Sequence, residues 1–404
     1  MSARAWTTAK AIDVLSDMKR GDWGLSERQA GAVAVRVIRG TDFPQAAANH
    51  LSGAPIRNLT MGRYESRRLR CGDLLIEMSG GSEKQATGRA LLVTESLLGS
   101  ADYPVGYSNF VMRIRPPDTV DPEFVWLQWQ YLYHRGRTRI YERRTTGIRN
   151  FKLDAFLDNE ELVIPPLPEQ RAIAHALRAV QRAREQTEQA VEAARQLKRS
   201  LTRHLFTHGT LAPASDSETQ SAGLGKMPAT WVARPLGEVA TLQRGCDLPA
   251  AQRATGPYPV LGSNGRVGSH ATAIARGPGV LVGRTGSVGN VVWADSDYWP
   301  LNTTLWVKDF HGNDPRFVYY LLSAFDFRSY ASRVSVPALN RNLVHPVTVG
   351  VPPLTQQRHI AAILDASGAK ISAEVGRRDA LDALFRSLLN ALMTARLRVN
   401  VARG

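Results

Sequence analysis

The stretch Pro165-Pro166-Leu167-Pro168-Glu169-Gln170-Arg171 returns almost unchanged as Pro352-Pro353-Leu354-Thr355-Gln356-Gln357-Arg358. Each copy follows an apolar run suited to a strand, Leu162-Val163-Ile164 or Val347-Thr348-Val349-Gly350-Val351. Each precedes a run suited to a helix, Ile173-Ala174-His175-Ala176-Leu177 or Ile360-Ala361-Ala362-Ile363-Leu364. Proline keeps the residue before it extended and is tolerated in the first helical turn, so each copy reads as a strand-to-helix junction. Glu169 stands where a helix N-terminus favours negative charge, whereas the second copy has neutral Gln356 there. A junction present twice makes the chain a duplicated unit.

Other pieces repeat in the same order. Asp121-Pro122-Glu123-Phe124-Val125-Trp126 matches Asp314-Pro315-Arg316-Phe317-Val318-Tyr319, each a helix start with Asp as cap and Pro at the first position. Gly72-Asp73-Leu74-Leu75-Ile76 matches Pro278-Gly279-Val280-Leu281-Val282. In the first unit, strands are predicted at residues 33–38, 74–76, 90–93 and 110–114, followed by a helix at 122–134. In the second they fall at 280–282, 291–293 and 305–307, followed by a helix at 315–325. The aromatics Trp126, Trp129, Tyr131, Tyr133, Tyr319 and Tyr320 read as helix faces packed on their sheets.

After each junction the pattern becomes a long helix. Ile173, Leu177, Val180, Thr187, Val191, Ala194, Leu201 and Leu205 fall near steps of three and four between charged flanks, over a length of roughly 55 Å. Ile360, Leu364, Ile371, Val375, Leu381, Phe385, Leu388 and Leu392 repeat that spacing. Two such seams need partners and have each other. The expected fold class is therefore α+β, with two domains of mixed β-sheet and helices at 1–164 and 230–351. Helical spacers at 165–208 and 352–400 pack as an antiparallel coiled coil about a pseudo-twofold axis, and a Ser/Ala/Gly-rich linker fills 209–229.

The 51 Lys and Arg outnumber the 36 Asp and Glu, giving a formal charge of +15 that favours a polyanionic partner. Cys71 and Cys246 are the only cysteines, too few for a disulfide framework or a four-thiolate zinc site. No apolar run reaches the roughly 18 residues of a membrane span, and the first residues lack an apolar signal core. The expected setting is soluble and cytoplasmic.

Signals for chemistry fall short. An amino-methyltransferase needs Asn or Asp before Pro-Pro and an aromatic after it, but Ile164 and Val351 precede and Leu167 and Leu354 follow. Gly283-Arg284-Thr285-Gly286-Ser287-Val288-Gly289 lacks the Gly-Lys-Ser/Thr of a phosphate loop and reads as a turn between strands. His204 and His208 share a helix face, yet Leu205 stands where a zinc protease has Glu. The chain is expected to recognise rather than catalyse, with no catalytic residue and no metal site.

Sequence readout calls for Arg, Lys, Asn or Gln on loops and helix ends. The candidates are Arg63, Arg67, Arg68, Lys84, Arg144, Thr145, Arg149 and Asn150 in the first unit, and Arg266, Arg284, Arg333, Ser335, Asn340, Arg341 and Asn342 in the second. The segments at 145–150 and 335–340 stand out because each lies just before its closing strand.

Together the repeated junction, the Asp-Pro-x-Phe-Val helix start, Leu236-Gly237-Glu238-Val239, Arg244-Gly245 and the 279–286 segment resemble the specificity (S) subunit of type I restriction-modification enzymes. In the first unit Val37-Ile38-Arg39-Gly40-Thr41-Asp42-Phe43 looks like the family's early segment, and residues 1–31 have no evident counterpart. The resemblance implies two target recognition domains, each binding half of a split double-stranded DNA sequence, two helical spacers forming an antiparallel coiled coil, and docking surfaces for two methyltransferase subunits. It also implies restriction endonuclease subunits in the complete complex. S-adenosylmethionine, with ATP and magnesium, would then belong to the partners and not to this chain. Two other readings stay open: a duplicated coiled-coil scaffold that binds DNA without sequence preference, and a stand-alone methyltransferase.

Overall fold

The computed structural model describes residues 6–27, 30–145, 148–210, 219–222, 225–332 and 337–399. The chain divides into two compact units, one of Met1–Glu185 with Asp379–Gly404 and one of Gln186–Arg378. In the first unit a four-stranded sheet runs Asp17–Arg20, Val111–Arg115, Leu74–Glu77, Ala90–Leu92, all antiparallel. A smaller sheet runs Ile56–Thr60, Ala32–Ile38, Val105–Tyr107, and its last pair is parallel. Thr7–Lys10 pairs with the closing strand Glu161–Ile164.

The second unit repeats this topology strand for strand. Its larger sheet runs Thr241–Arg244, Thr304–Asp309, Gly279–Gly283, Val291–Ala294. Its smaller one runs Gly265–His270, Tyr258–Gly262, Trp299–Pro300, again with the last pair parallel, and Val232–Pro235 pairs with the closing strand Thr348–Val351. Thr219–Ala222 and Gly225–Pro228 add a hairpin.

Two sequence-based expectations need correction here. Residues 6–21 do have a counterpart, because a Trp, a strand, one helical turn and a second strand follow in the same order as at 231–245. Shared backbone pairing, with little shared side-chain identity, hid the match. The segment at 37–43 is accordingly not the early segment, since its strand Ala32–Ile38 holds the place of Tyr258–Gly262 in the smaller sheet.

The junction motif explains itself in three dimensions. Gln170 Oε1 accepts from the Asp121 backbone N–H (2.8 Å) and its Nε2 donates to the Pro165 carbonyl (2.8 Å). Gln357 does the same with the Asp314 N–H (2.9 Å) and the Pro352 carbonyl (2.9 Å). Both amides are buried, 1% and 3% exposed, so their bonds cannot be replaced by water. One side chain thus ties the closing strand and the Asp-Pro helix to the first turn of the long helix, in both units.

The long helices are Leu167–His208 and Leu354–Met393, and each gives one stretch to each unit. In the first unit Ile173, Ala174 and Leu177 pack with Phe385, Leu389 and Leu392, beneath Phe124 and Leu127 of the helix Pro122–His134. In the second, Ile360, Ala361 and Leu364 share a core with Leu205, Phe317 and Leu321. The pairing is antiparallel within each unit. Glu169 meets Arg398 while Arg184 meets Asp382, and Glu188 meets Arg378 while Gly209 lies against Gln356. A further ion pair joins long and short helix with its polarity reversed: Arg178 with Glu123 in the first unit, Asp365 with Arg316 (2.6 Å) in the second.

Glu169 accepts both Arg398 nitrogens (2.9 and 2.7 Å) and the Trp6 indole N–H (3.0 Å). The Arg398 bonds hold its carboxyl below the usual range against the opposing effect of burial, with Trp6 adding to the depression. A depressed carboxyl stabilises the fold above its unfolded pKa of about 4.3 and loses that contribution as pH falls through the folded value. Glu169→Gln should therefore lower the Tm at pH 7, and the deficit should shrink below about pH 4. In the seam, Leu177→Ala should cost about 2–5 kcal/mol in chemical denaturation.

Candidate nucleic-acid interface

The two segments singled out before the closing strands occupy the same place in their units. In the first, Ile148–Phe151 pairs with Ser79–Gly80, the turn that leaves the central strand, with Arg149 opposite Gly80 and Asn150 opposite Ser79. In the second, Ala338 bridges Thr285 in the turn leaving Gly279–Gly283. Irregular backbone at sheet ends is where binding side chains can be presented on a rigid support.

The side chains differ in what they can offer. Arg149 gives Nη1 to Glu142 (3.0 Å) with 11% and 7% of the two side chains exposed, and Glu142 also accepts from Thr87 N–H (2.6 Å). Arg149 is therefore a half-buried brace between neighbouring strands. Asn150 accepts from Ser79 Oγ (2.6 Å). The side chains of Arg144 and Thr145, and the whole of Arg333 and Ser335, lie outside the described residues.

Arg63 and Arg68 are exposed and loosely paired, at 3.6 Å from Asp22 and 3.7 Å from Glu65. Arg67 is more anchored, giving Nε to the Arg20 carbonyl (3.0 Å). Lys84 is exposed on the turn after Ser82. These residues do not form one cluster.

In the second unit a cleft of about 720 Å³ does bring candidates together, being lined by Arg244, Arg284, Asn340 and Arg341. Arg284 Nη1 donates to the Asn302 carbonyl (3.2 Å) and Arg341 Nη1 to the Leu242 carbonyl (3.3 Å). Asn340 caps the short helix Arg341–Val344 by accepting the Asn342 N–H (3.0 Å). Arg266 lies apart, on the hairpin strand Gly265–His270, with Nε on the Gly268 carbonyl (3.3 Å).

Sequence reasoning missed a cleft of the first unit. It measures about 800 Å³ and is lined by Arg39, Glu77, Gln85, Arg89, Phe110 and Ile148. Hydrogen bonding to Glu77 raises the Arg89 pKa despite burial, and Asp42 does the same for Arg39, so both cations are firmly held. The available signal was Glu77 itself, a lone carboxylate ending the apolar strand Leu74–Glu77.

Residues 228–383 match the family described as "Type I restriction modification DNA specificity domain". That stretch resembles a type I specificity domain. The EcoprrI type I restriction enzyme specificity subunit of Escherichia coli is 27% identical over 138 residues, 33% of this chain and 34% of that protein. A putative type I specificity subunit of Haemophilus influenzae, S.HindORF215P, is 26% identical over 145 residues, 34% of this chain and 38% of that protein. The matched stretch thus spans little more than a third of either relative.

The fold extends the likeness to the whole chain. The type I S subunit from M. genitalium superposes with a TM-score of 0.60 at 17% identity, covering 98% of this chain and 97% of that one. A chain from a type I complex described for its assembly and conformational transition gives 0.59 at 16%, covering 96% and 98%. The resemblance read from the sequence is borne out. No helix among the described residues is long and apolar enough to cross a membrane.

If Arg149 is a brace, its loss should appear first in stability. Arg149→Ala strands the Glu142 carboxylate and should cost about 3–5 kcal/mol, while Arg149→Met with Glu142→Gln should recover most of that in thermal melts.

Proposed function

We propose that this chain is the DNA-reading, non-catalytic subunit of a type I restriction-modification complex, each unit recognising one half of a split target. The observation that carries this reading is the repetition of one topology, with a cation-lined cleft at the end of the larger sheet in each unit. The charge of +15 supports a phosphate-rich partner. Different side chains in the two clefts, Arg39 and Arg89 against Arg244, Arg284 and Arg341, suit two different half-sequences.

The helical spacers are proposed to dock methyltransferase subunits, one per repeat. Support comes from the last residue of the junction motif. Arg171 and Arg358 are repeated in sequence and exposed in both units, with no ion pair among the described residues. A residue retained twice without an internal role fits two copies of one partner. S-adenosylmethionine is then bound by the methyltransferase, and ATP and magnesium by an endonuclease subunit.

The test is to co-express the full chain with the methyltransferase encoded beside it and map methylated adenines across a host genome by single-molecule sequencing. The expected result is a split motif of two specific halves and a fixed gap. Complex formation with DNA affinity that falls steeply with salt but is indifferent to sequence would favour the scaffold reading instead.

A further inference from the structure

The first unit's cleft holds two arginines clamped in the same way. Arg89 gives Nε to Glu77 Oε2 (2.9 Å) and Nη2 to Glu77 Oε1 (2.6 Å) and to the Gly40 carbonyl (2.7 Å). Arg39 gives Nε to Asp42 Oδ2 (2.9 Å) and Nη2 to Asp42 Oδ1 (2.8 Å) and to the Gly53 carbonyl (3.1 Å). Both carboxylates are buried. In each guanidinium these contacts consume the same three donors and leave Nη1, from which Arg89 gives one hydrogen to Gln85.

The backbone is shaped around one of these clamps. A Cβ on Gly40 or Gly80 would sit 2.6 or 2.7 Å from Glu77 Oε1. Yet the fold does not need the pair. Strand register sets Ile76 opposite Ala90 and, in the second unit, Val282 opposite Val291, so Glu77 and Arg89 correspond to Gly283 and Asn290. The same sheet closes there with no charge at all. A buried ion pair that the scaffold can do without, facing an open cleft, is better explained by recognition than by stability.

The cationic groups that line the cleft are donors, set among hydroxyl and amide side chains. With its exposed amide turned to offer oxygen, Gln85 accepts from Arg89 Nη1 (2.7 Å), and its own N–H groups remain available. The carboxylate oxygens of Glu77 and Asp42 are occupied by the arginines. Above this face Phe110 and Ile148 are 57% and 56% exposed, an apolar rim that suits a base edge more than a hydrated phosphate.

Two fixed cationic donors favour a partner that presents acceptors to them. In the major groove only guanine presents two adjacent acceptors, O6 and N7, without a neighbouring donor. Adenine and cytosine would set an amino group against these N–H groups. Arginines already fixed by carboxylates also lose little conformational freedom on binding.

We infer that Arg39 and Arg89, oriented by Asp42 and Glu77, read a guanine in the half of the target taken by the first unit. This rests on the DNA-reading function proposed above. The test repeats methylation mapping with the full chain and its methyltransferase for two double variants, Asp42→Asn with Arg39→Met and Glu77→Gln with Arg89→Met, which strand no buried carboxylate. The expected result is one half-site relaxed at a single G·C position by about tenfold or more, with the other half and the gap intact.

An unchanged motif overturns the inference, as does a uniform fall in methylation at every site, which would mark phosphate contacts. A first half-site without any G·C pair overturns it as well. If the parent chain itself gives no split motif, the DNA-reading function fails first and the guanine assignment falls with it. Should the arginine variants not fold, Gln85→Ala alters only an exposed side chain. Relaxation at the same position supports the assignment, and its absence overturns it.

Discussion

A single buried amide organises each half of this chain. Gln170 and Gln357 each accept a backbone N–H from the start of the Asp-Pro helix and donate to the carbonyl that ends the closing strand. At that side chain a helix start 43–49 residues earlier meets the strand-to-helix junction. Leaving either backbone group unpaired in a buried site would cost about 1–3 kcal/mol, so the strand end, the short helix and the long helix are fixed as one block. The prolines keep the chain extended up to this point, and Asp121 and Asp314 cap the short helices that lean on it.

Around that block the duplicated units have kept interactions more faithfully than residues. The long helix meets the short one through Arg178 and Glu123 in one unit and through Asp365 and Arg316 in the other, the same contact with its charges exchanged. Trp6 donates to Glu169 where Trp231 donates to Gln356, and only the charged version recruits Arg398. Toward the far end of the sheets the units stop agreeing. Glu77 and Arg89 stand where the other unit has Gly283 and Asn290. Agreement at the helical end and divergence in the clefts is what a common scaffold with two recognition surfaces requires.

Much of this was legible in the sequence. The helix predicted at 122–134 has those bounds, the seam positions Ile173, Leu177, Ile360 and Leu364 are buried, and Trp129 packs on Phe156 instead of facing solvent. These features depend on periodicity and on helix-start chemistry, both local properties. The opening strands at 7–10 and 17–20 were not legible, since they are short, half-exposed and defined by their partners. The first cleft was missed for a related reason. Exposed arginine clusters attract notice in a sequence, whereas Arg39 and Arg89 matter because Asp42 and Glu77, brought close by the fold, hold them still. Arg149, prominent in the sequence, is likewise held by a carboxylate, that of Glu142.

The most direct test of the account is thermal unfolding of Gln170→Met and Gln357→Met beside Arg171→Met and Arg358→Met, which alter exposed neighbours in the same motif. Both glutamine variants are predicted to lower the transition by several degrees, in keeping with a loss of about 1–3 kcal/mol at each junction, and the arginine variants to leave it in place. Glutamine variants that melt with the parent chain would contradict the claim that this amide fixes the strand end, the short helix and the long helix of each unit as one block.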